Sequence, residues 1–333
     1  MRPLVVLLAL ALVACSSPPA PAPAPTREFD LSFTAFQSQG TDPAIMDASA
    51  DTISVLAVDG LNFLPGGAGL TEPDPSLAEL AAHAHERGLR AELMVGNFDG
   101  ELNDFSEQLA YDTLSSPDAR AAVIQTLFEH VHNLGFDGVN IDLEALEARD
   151  ADGLSLFAVE LDDALGQQLS LSMALPLKDS PAAYFRAGFY VDAMAASIDR
   201  FIVMAYDENG PWEEMPGPIG SVLWTDTGLQ ALMLVAPARK IELGIASYGY
   251  AWGPSGSDIQ LSVEQARELA GDNAVWDAGT GEWYAGLDDG TEVWWSDTRS
   301  FRVRAQMARD FGLGGVALWS LEQGGPVTPA DLK

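Results

Sequence analysis

The stretch FDGVNIDLEAL, residues 136–146, decides how this chain is read. Val139, Ile141 and Leu143 are strand formers, and Gly135 and Gly138 punctuate the entrance. A strand alternates faces with period two, so Asn140, Asp142 and Glu144 share one face. Two residues of strand span about 6.6 Å. An unpartnered buried carboxylate is costly. Two of them on one face of an apolar strand are therefore a reaction site or a structural ion-pair site, and the flanking sequence has to discriminate.

Just upstream, residues 115–135 form a capped amphipathic pattern, with Ser116 before Pro117 and Gly135 at its end. This predicts a helix running straight into the quoted strand. The same alternation recurs on both sides. Strands are expected over 29–36, 52–58, 89–97, 169–177, 199–207, 240–252 and 314–321, and further helices over 77–88 and 154–166. Strands alternating with helices imply a parallel sheet. With the quoted strand there are eight, and at this length they fit an α/β fold of the (β/α)8 TIM-barrel type. A doubly wound open sheet is the runner-up, but no GxGxxG-like turn follows the first strand. Between the seventh and eighth strands the spacing exceeds one helix. Residues 253–298 hold a helical piece, SVEQARELAG, then two hairpin-like turns, AGTGE and DDGT. A small α+β insertion is expected there, with Trp276, Trp283, Tyr284, Trp294 and Trp295 divided between its core and a groove wall.

In such a barrel the functional side chains stand at the C-terminal ends of strands. Asp142 and Glu144 end the fourth strand, Met204, Tyr206 and Asp207 the sixth, Tyr248, Tyr250 and Trp252 follow the seventh, and Trp319 ends the eighth. Carboxylates ringed by aromatics suit a sugar, whose apolar ring faces stack on aromatic side chains. Trp212 and Trp224, in loops, are further candidate sugar contacts. The four histidines, His83, His85, His130 and His132, fall on expected helices away from the barrel mouth and form no metal triad.

DGVNIDLE, residues 137–144, resembles the DxxDxDxE signature of glycoside hydrolase family 18, the chitinase-like barrels. MAYD (204–207) resembles the family's MxYD element, GIASYGYAW (244–252) its seventh-strand segment, and GVALWSL (315–321) its eighth. The resemblance covers residues 29–323. It departs at Asn140, where the signature has an acid, and at LMVGN (93–97), which stands in place of the SxGG element. Asn140 and the insertion resemble the bacterial spore-germination and cortex-lytic glycosidases, although the wall-binding repeats common there are absent.

The resemblance implies a retaining hydrolase acting on glycans that contain N-acetylglucosamine, of peptidoglycan or chitin type, in which the substrate's own 2-acetamido oxygen attacks the anomeric carbon. It implies catalytic roles for Glu144, as acid and then base, for Asp142, which orients the acetamido group, and for Tyr206, which bonds its oxygen. It further implies substrate-binding roles for Asn140, Met204, Asp207, Tyr248, Trp252 and Trp319, and a structural role for Asp137 and Gly138. No cofactor and no metal is implied. The alternatives are a non-catalytic, glycan-binding barrel of the same fold, and a metal-dependent barrel using Asp142 and Glu144 as ligands. The first is disfavoured by the presence of Glu144, the second because Asp207 is the one further carboxylate expected at a neighbouring strand end, too few for a hard cation.

The chain of 333 residues carries 17 Lys+Arg against 49 Asp+Glu, a formal net charge of −32. Such a surface repels nucleic acid and anionic lipid. A single basic residue, Arg2, precedes an apolar run over 4–14 that is short for a membrane span and ends in LVAC. Residues 1–14 therefore read as a lipoprotein signal peptide, with Cys15, the only cysteine, as the lipidated residue. Residues 15–27 read as a Pro/Ala-rich tether and 28–333 as the folded domain. The expectation is an extracytoplasmic monomer, a membrane-anchored bacterial lipoprotein or, with an ordinary signal peptide, a secreted protein, whose partner is its glycan.

Overall fold

The computed structural model describes residues 30–213, 215–254 and 260–332. The signal peptide, Cys15 and the tether lie outside the described residues. Eight parallel strands close a barrel: Ser32–Ser38, Val55–Asn62, Arg90–Gly96, Gly138–Asp142, Ser170–Pro176, Arg200–Met204, Ile241–Ala246 and Gly315–Trp319. Each pairs with its neighbours in chain order, and the first closes on the eighth. This is the (β/α)8 architecture, and the open-sheet reading is excluded by the closure.

The helix Pro117–Leu134 begins where expected: the Ser116 hydroxyl accepts the Ala119 N–H at 3.3 Å. It delivers the chain to Gly138, whose place in the wall admits no side chain. A Cβ there would lie 2.3 Å from the Ser170 carbonyl oxygen of the next strand. Asp137, just before it, receives the Ala91 N–H at 2.8 Å and lies 2.9 Å from His85 Nε2, tying the strand entrance to its neighbour and to the helix Ser76–Glu86.

Period-two alternation sends two chemically different sets of side chains into the barrel. At the N-terminal end these are polar. Arg200 Nη2 lies 2.7 Å from both Glu92 oxygens, its Nε lies 3.3 Å from Glu242, and the Thr34 hydroxyl donates to Glu242 at 2.6 Å. Burial pushes the Glu92 carboxyl up, but Arg200 and the hydroxyls of Ser170 and Ser172 override it and hold it below its ordinary value. Above this layer Phe36, Ala57, Met94, Ile202 and Ala317 pack beneath Trp319. Removing Arg200 alone would leave buried carboxylates uncompensated, at a cost of about 3–5 kcal/mol. A larger apolar core lies between the barrel wall and its helices.

The seventh strand is shorter than its sequence implies. The apolar run 240–252 is not one strand but two: Ile241–Ala246 stays in the barrel, and Tyr248–Trp252 enters a separate antiparallel five-stranded sheet. Ser247 is the corner. Its N–H donates to the Trp319 carbonyl at 2.9 Å and its hydroxyl to that of Ser320 at 2.6 Å, which ends the parallel ladder. The inserted unit thus begins at Tyr248 rather than at 253. Its helix Val263–Ala270 starts with a reciprocal Ser262/Gln265 capping box. Its core is Ala251, Val263, Ala266, Ala285, Val293 and Trp295, with Trp283 stacked on Trp295 at 5.9 Å.

Buried Arg304, from the helix Thr298–Asp310, fastens this unit to the loop after barrel strand six. Its guanidinium donates to the carbonyls of Gly220 and Thr280, at 2.5 and 3.1 Å. Buried Glu282 accepts the N–H groups of Ile219 and Gly220, at 2.7 and 3.0 Å.

Candidate active site

A cavity of about 330 Å³ opens at the C-terminal mouth of the barrel. Asp142, Glu144, Met204, Tyr206, Asp207 and Trp319 all line it, drawn from strands four, six and eight. Phe36, Asp104, Phe105 and Trp212 complete most of the wall.

Strand four ends at Asp142, and the chain then turns. Glu144 is held there by its backbone. Its N–H donates to Asn97 Oδ1, and Asn97 Nδ2 donates back to the Glu144 carbonyl, each at 2.9 Å. The same Nδ2 also reaches the Ser106 carbonyl at 2.9 Å. Asn97 is fully buried, so all of this polarity is internal. The next residue, Ala145, has φ 57°, and Asp207 has φ 60°. For residues with a Cβ this left-handed backbone costs about 1–2 kcal/mol each, and such cost gathers where a side chain must be aimed.

Two carboxyls in this crowded place resist ionisation. Burial pushes Asp142 up to about 7, and the charge of Asp59 on strand two adds to it. Burial also raises Glu144 to about 8, with Asp142, Asp207 and Asp104 adding repulsion and Lys178 opposing it. Glu144 therefore keeps its proton at neutral pH, as a group that must donate one requires.

Asn140 sits directly below, fully buried, and does not line the cavity. Its orientation follows from proton counting. The Ser172 hydroxyl gives its one proton to Glu92 at 2.6 Å, so it can only accept from Asn140 Nδ2, at 2.7 Å. That leaves Asn140 Oδ1 as a buried acceptor without a partner, and Asp142 Oδ1 is likewise unpartnered.

Tyr206 lies against Gly244 of strand seven, where a Cβ would lie 2.6 Å from the Val203 carbonyl oxygen and 3.3 Å from the phenol ring. Burial and the surrounding carboxylates push its pKa well above the ordinary phenol value, so it remains a hydroxyl donor. Asp207 receives the hydroxyls of Tyr248 and Tyr250 at 2.6 and 3.0 Å. Trp319 lies 5.2 Å from Phe36, and its peptide bond to Ser320 is cis.

The sequence expectations differ from this arrangement in places. Tyr248 and Trp252 do not line the cavity. Tyr248 is buried behind Asp207, and Trp252 donates its indole N–H to the Gly210 carbonyl at 3.2 Å, bracing the loop that carries Trp212. Both were displaced from the mouth when strand seven broke at Ser247. Trp224 packs on the main core from the helix Val222–Leu232, whereas Trp212 is 61% exposed at the cavity rim. None of the insertion's five aromatics named above lines the cavity. The reading missed Asn97, Asp59, Asp104 and Phe105. Asn97 was findable, because it directly follows strand three at the C-terminal end. Asp104 and Phe105 come from a short hairpin with no sequence signature. Among the described residues no group of three or more His, Cys, Asp or Glu side chains is arranged to hold a metal ion.

Carboxyls, a phenol and an indole around a cleft at the C-terminal face make a (β/α)8 barrel whose site is suited to a sugar. Residues 35–324 match Glycosyl hydrolases family 18, and the chain belongs to that family. It is 27% identical over 232 residues to YdhD of Bacillus subtilis (strain 168), covering 66% of this chain and 55% of that protein. It is 24% identical over 266 residues to the cortical fragment-lytic enzyme of the same organism, covering 74% of this chain and 60% of that protein. The chain thus spans little more than half the length of these two relatives. A crystal structure of a chitinase from Chromobacterium violaceum ATCC 12472 superimposes with a TM-score of 0.80 at 26% identity, over 91% of this chain and 98% of the other.

Proposed function

We propose that the protein hydrolyses β-linked glycans containing N-acetylglucosamine, with retention, by substrate-assisted catalysis. The observation that carries this reading is that Glu144, two residues beyond the end of strand four, lines one cavity with the buried Asp142 that ends that strand, and is held protonated to about pH 8. In the first step the substrate's acetamido oxygen forms a bond to the anomeric carbon. The bond to the leaving oxygen breaks, and the Glu144 proton passes to that oxygen. Asp142 accepts the acetamido N–H and balances the positive charge of the oxazolinium, and the Tyr206 hydroxyl donates to the acetamido oxygen. In the second step water attacks the anomeric carbon, its proton returns to Glu144, and the ring opens to regenerate the acetamide. No carboxylate nucleophile is needed, unlike in the two-carboxylate scheme. Trp319 and Met204 offer apolar surface to the sugar, and Asp207 a polar contact.

Both glycan types fit this chemistry. One relative is named as a cortical fragment-lytic enzyme and one structural neighbour as a chitinase. The test is hydrolysis of N-acetylglucosamine oligosaccharides and of purified peptidoglycan by wild type and Glu144→Gln, with products read by mass spectrometry. Cleavage of either, lost in the variant, supports the reading. Binding without cleavage by the wild type would replace it with a glycan-binding barrel. We also infer that Cys15 carries a lipid that tethers the domain outside the cytoplasm, supported by the apolar run before it. The intact mass of the mature protein tests this, and a soluble product without acyl mass would refute it.

A further inference from the structure

We infer that a small cavity on the far side of Glu144 is a subsite for a carboxylate-bearing sugar, and that Lys178 is the residue that selects it. This rests on the reading of Glu144 as the proton donor and names the substrate that the reading leaves open.

Glu144 lines two cavities. One is the large cavity that also holds Asp142 and Tyr206. The other, of about 190 Å³, is walled by Ala145, Leu146, Pro176, Lys178, Ala187 and Phe189 beside Glu144. A general acid protonates the oxygen between the sugar that reacts and the sugar that leaves. A carboxyl standing between two cavities therefore divides them by role. Asp142 and Tyr206, the groups suited to the acetamido chemistry, face only the large one, which takes the reacting sugar. The small one takes the leaving sugar.

Lys178 is out of place in this molecule. The net charge is −32, and only three residues are lysine. Lys240 is occupied, its ammonium donating to the carbonyls of Ala195 and Ile198 at 2.9 and 2.6 Å. Lys178 is held only through its backbone N–H, which donates to the Tyr184 hydroxyl at 3.3 Å. Its ammonium belongs to none of the ion pairs among the described residues. It lines this cavity alone, and no cation lines either the large one or a third of about 550 Å³ that shares Phe189 with the small one. That third cavity bears Asp152 and Asp192, so an anion is welcome beside Lys178 and not further out.

A neutral amino sugar has no use for a free ammonium. A sugar carrying an acid does, and on a surface this acidic it needs one, since like charges disfavour its approach. N-acetylmuramic acid, with its lactyl carboxylate, has this chemistry. The substrate inferred is an N-acetylglucosamine–N-acetylmuramic acid chain, cleaved so that the acidic sugar leaves.

The test compares the full chain with Lys178→Met and Lys178→Arg on three substrates of one length. These are an alternating N-acetylglucosamine–N-acetylmuramic acid oligosaccharide, the same oligosaccharide with its lactyl carboxylates converted to methyl amides, and an N-acetylglucosamine oligosaccharide. In the wild type, kcat/KM favours the acid over its amide. In Lys178→Met the acid-to-amide ratio falls about ten- to hundredfold, the range for losing a charge-assisted hydrogen bond, and Lys178→Arg keeps most of it. An equal loss on all three substrates would mean that Lys178 only adjusts Glu144, and the inference fails. It also fails if the wild type shows no preference for the acid. If the wild type cleaves nothing, the hydrolase reading falls instead. Calorimetric binding of the same glycans to Glu144→Gln, with and without Lys178→Met, then reads the preference directly: a ratio unmoved by Lys178→Met refutes the subsite.

Discussion

Replacing Glu144 by Gln should make the protein more stable, by an amount that grows with pH. The carboxyl rises from 4.5 to about 8 on folding. An acid whose pKa is raised in the folded state binds more protons folded than unfolded between those two values. Wild-type stability therefore falls as pH climbs from about 4.5 towards 8, and is not penalised below that window. At about 1.4 kcal/mol per pH unit the full displacement corresponds to about 5 kcal/mol. Glu144 keeps some contact with solvent, and its titration is linked to that of Asp142, so about half of this is expected to appear. Gln has nearly the same shape and no ionisation. Urea unfolding at pH 4 should show the variant within about 0.5 kcal/mol of wild type, and at pH 9 about 2–3 kcal/mol above it. The same variant should be inactive, so the gain in stability and the loss of activity share one cause. A stability difference that stays flat between pH 4 and 9 would refute the placement of a protonated acid in this cavity.

Wild-type kcat/KM should be bell-shaped in pH, with an acid limb near 7 and an alkaline limb near 8 belonging jointly to Asp142 and Glu144, and Asp142→Asn should abolish the acid limb and most of the rate. Asn97→Ala removes three hydrogen bonds around Glu144, and should cost about 2–3 kcal/mol of stability while lowering kcat at least about tenfold with a smaller change in KM; an unchanged kcat would show that the turn needs no such clamp. Tyr248→Phe takes one of two donors from Asp207 and should weaken substrate binding about fivefold, within the range for one hydrogen bond, as a KM measurement would reveal. Asn140→Asp puts a second ionisable group under Asp142 in a buried layer; thermal melts at pH 8 should fall by several degrees, about 1–3 kcal/mol, and the alkaline limb should move upward.

The barrel was legible because its strands repeat one pattern, and because Asn140, Asp142 and Glu144 break that pattern on a single face. Burial forbids carboxylates without a reason, so their position in the sequence already located the chemistry. What could not be read was anything set by distant partners. The run 240–252 is uniformly apolar and β-prone, and nothing within it marks Ser247 as a corner; the hydrogen bonds that end the ladder come from Trp319 and Ser320. Tyr248 was expected to meet sugar because it follows a barrel strand, yet the break carries it behind Asp207, where it acts on the site through a hydrogen bond. Lys178 shows the same limit from the other side. In sequence it is an ordinary polar residue after a strand. Its meaning comes from the acids on nearly every neighbouring wall and from the cavity it shares with Glu144. Local pattern therefore points to the residue proposed to move the proton, while the residue proposed to choose the substrate emerges only when the strand ends are brought together.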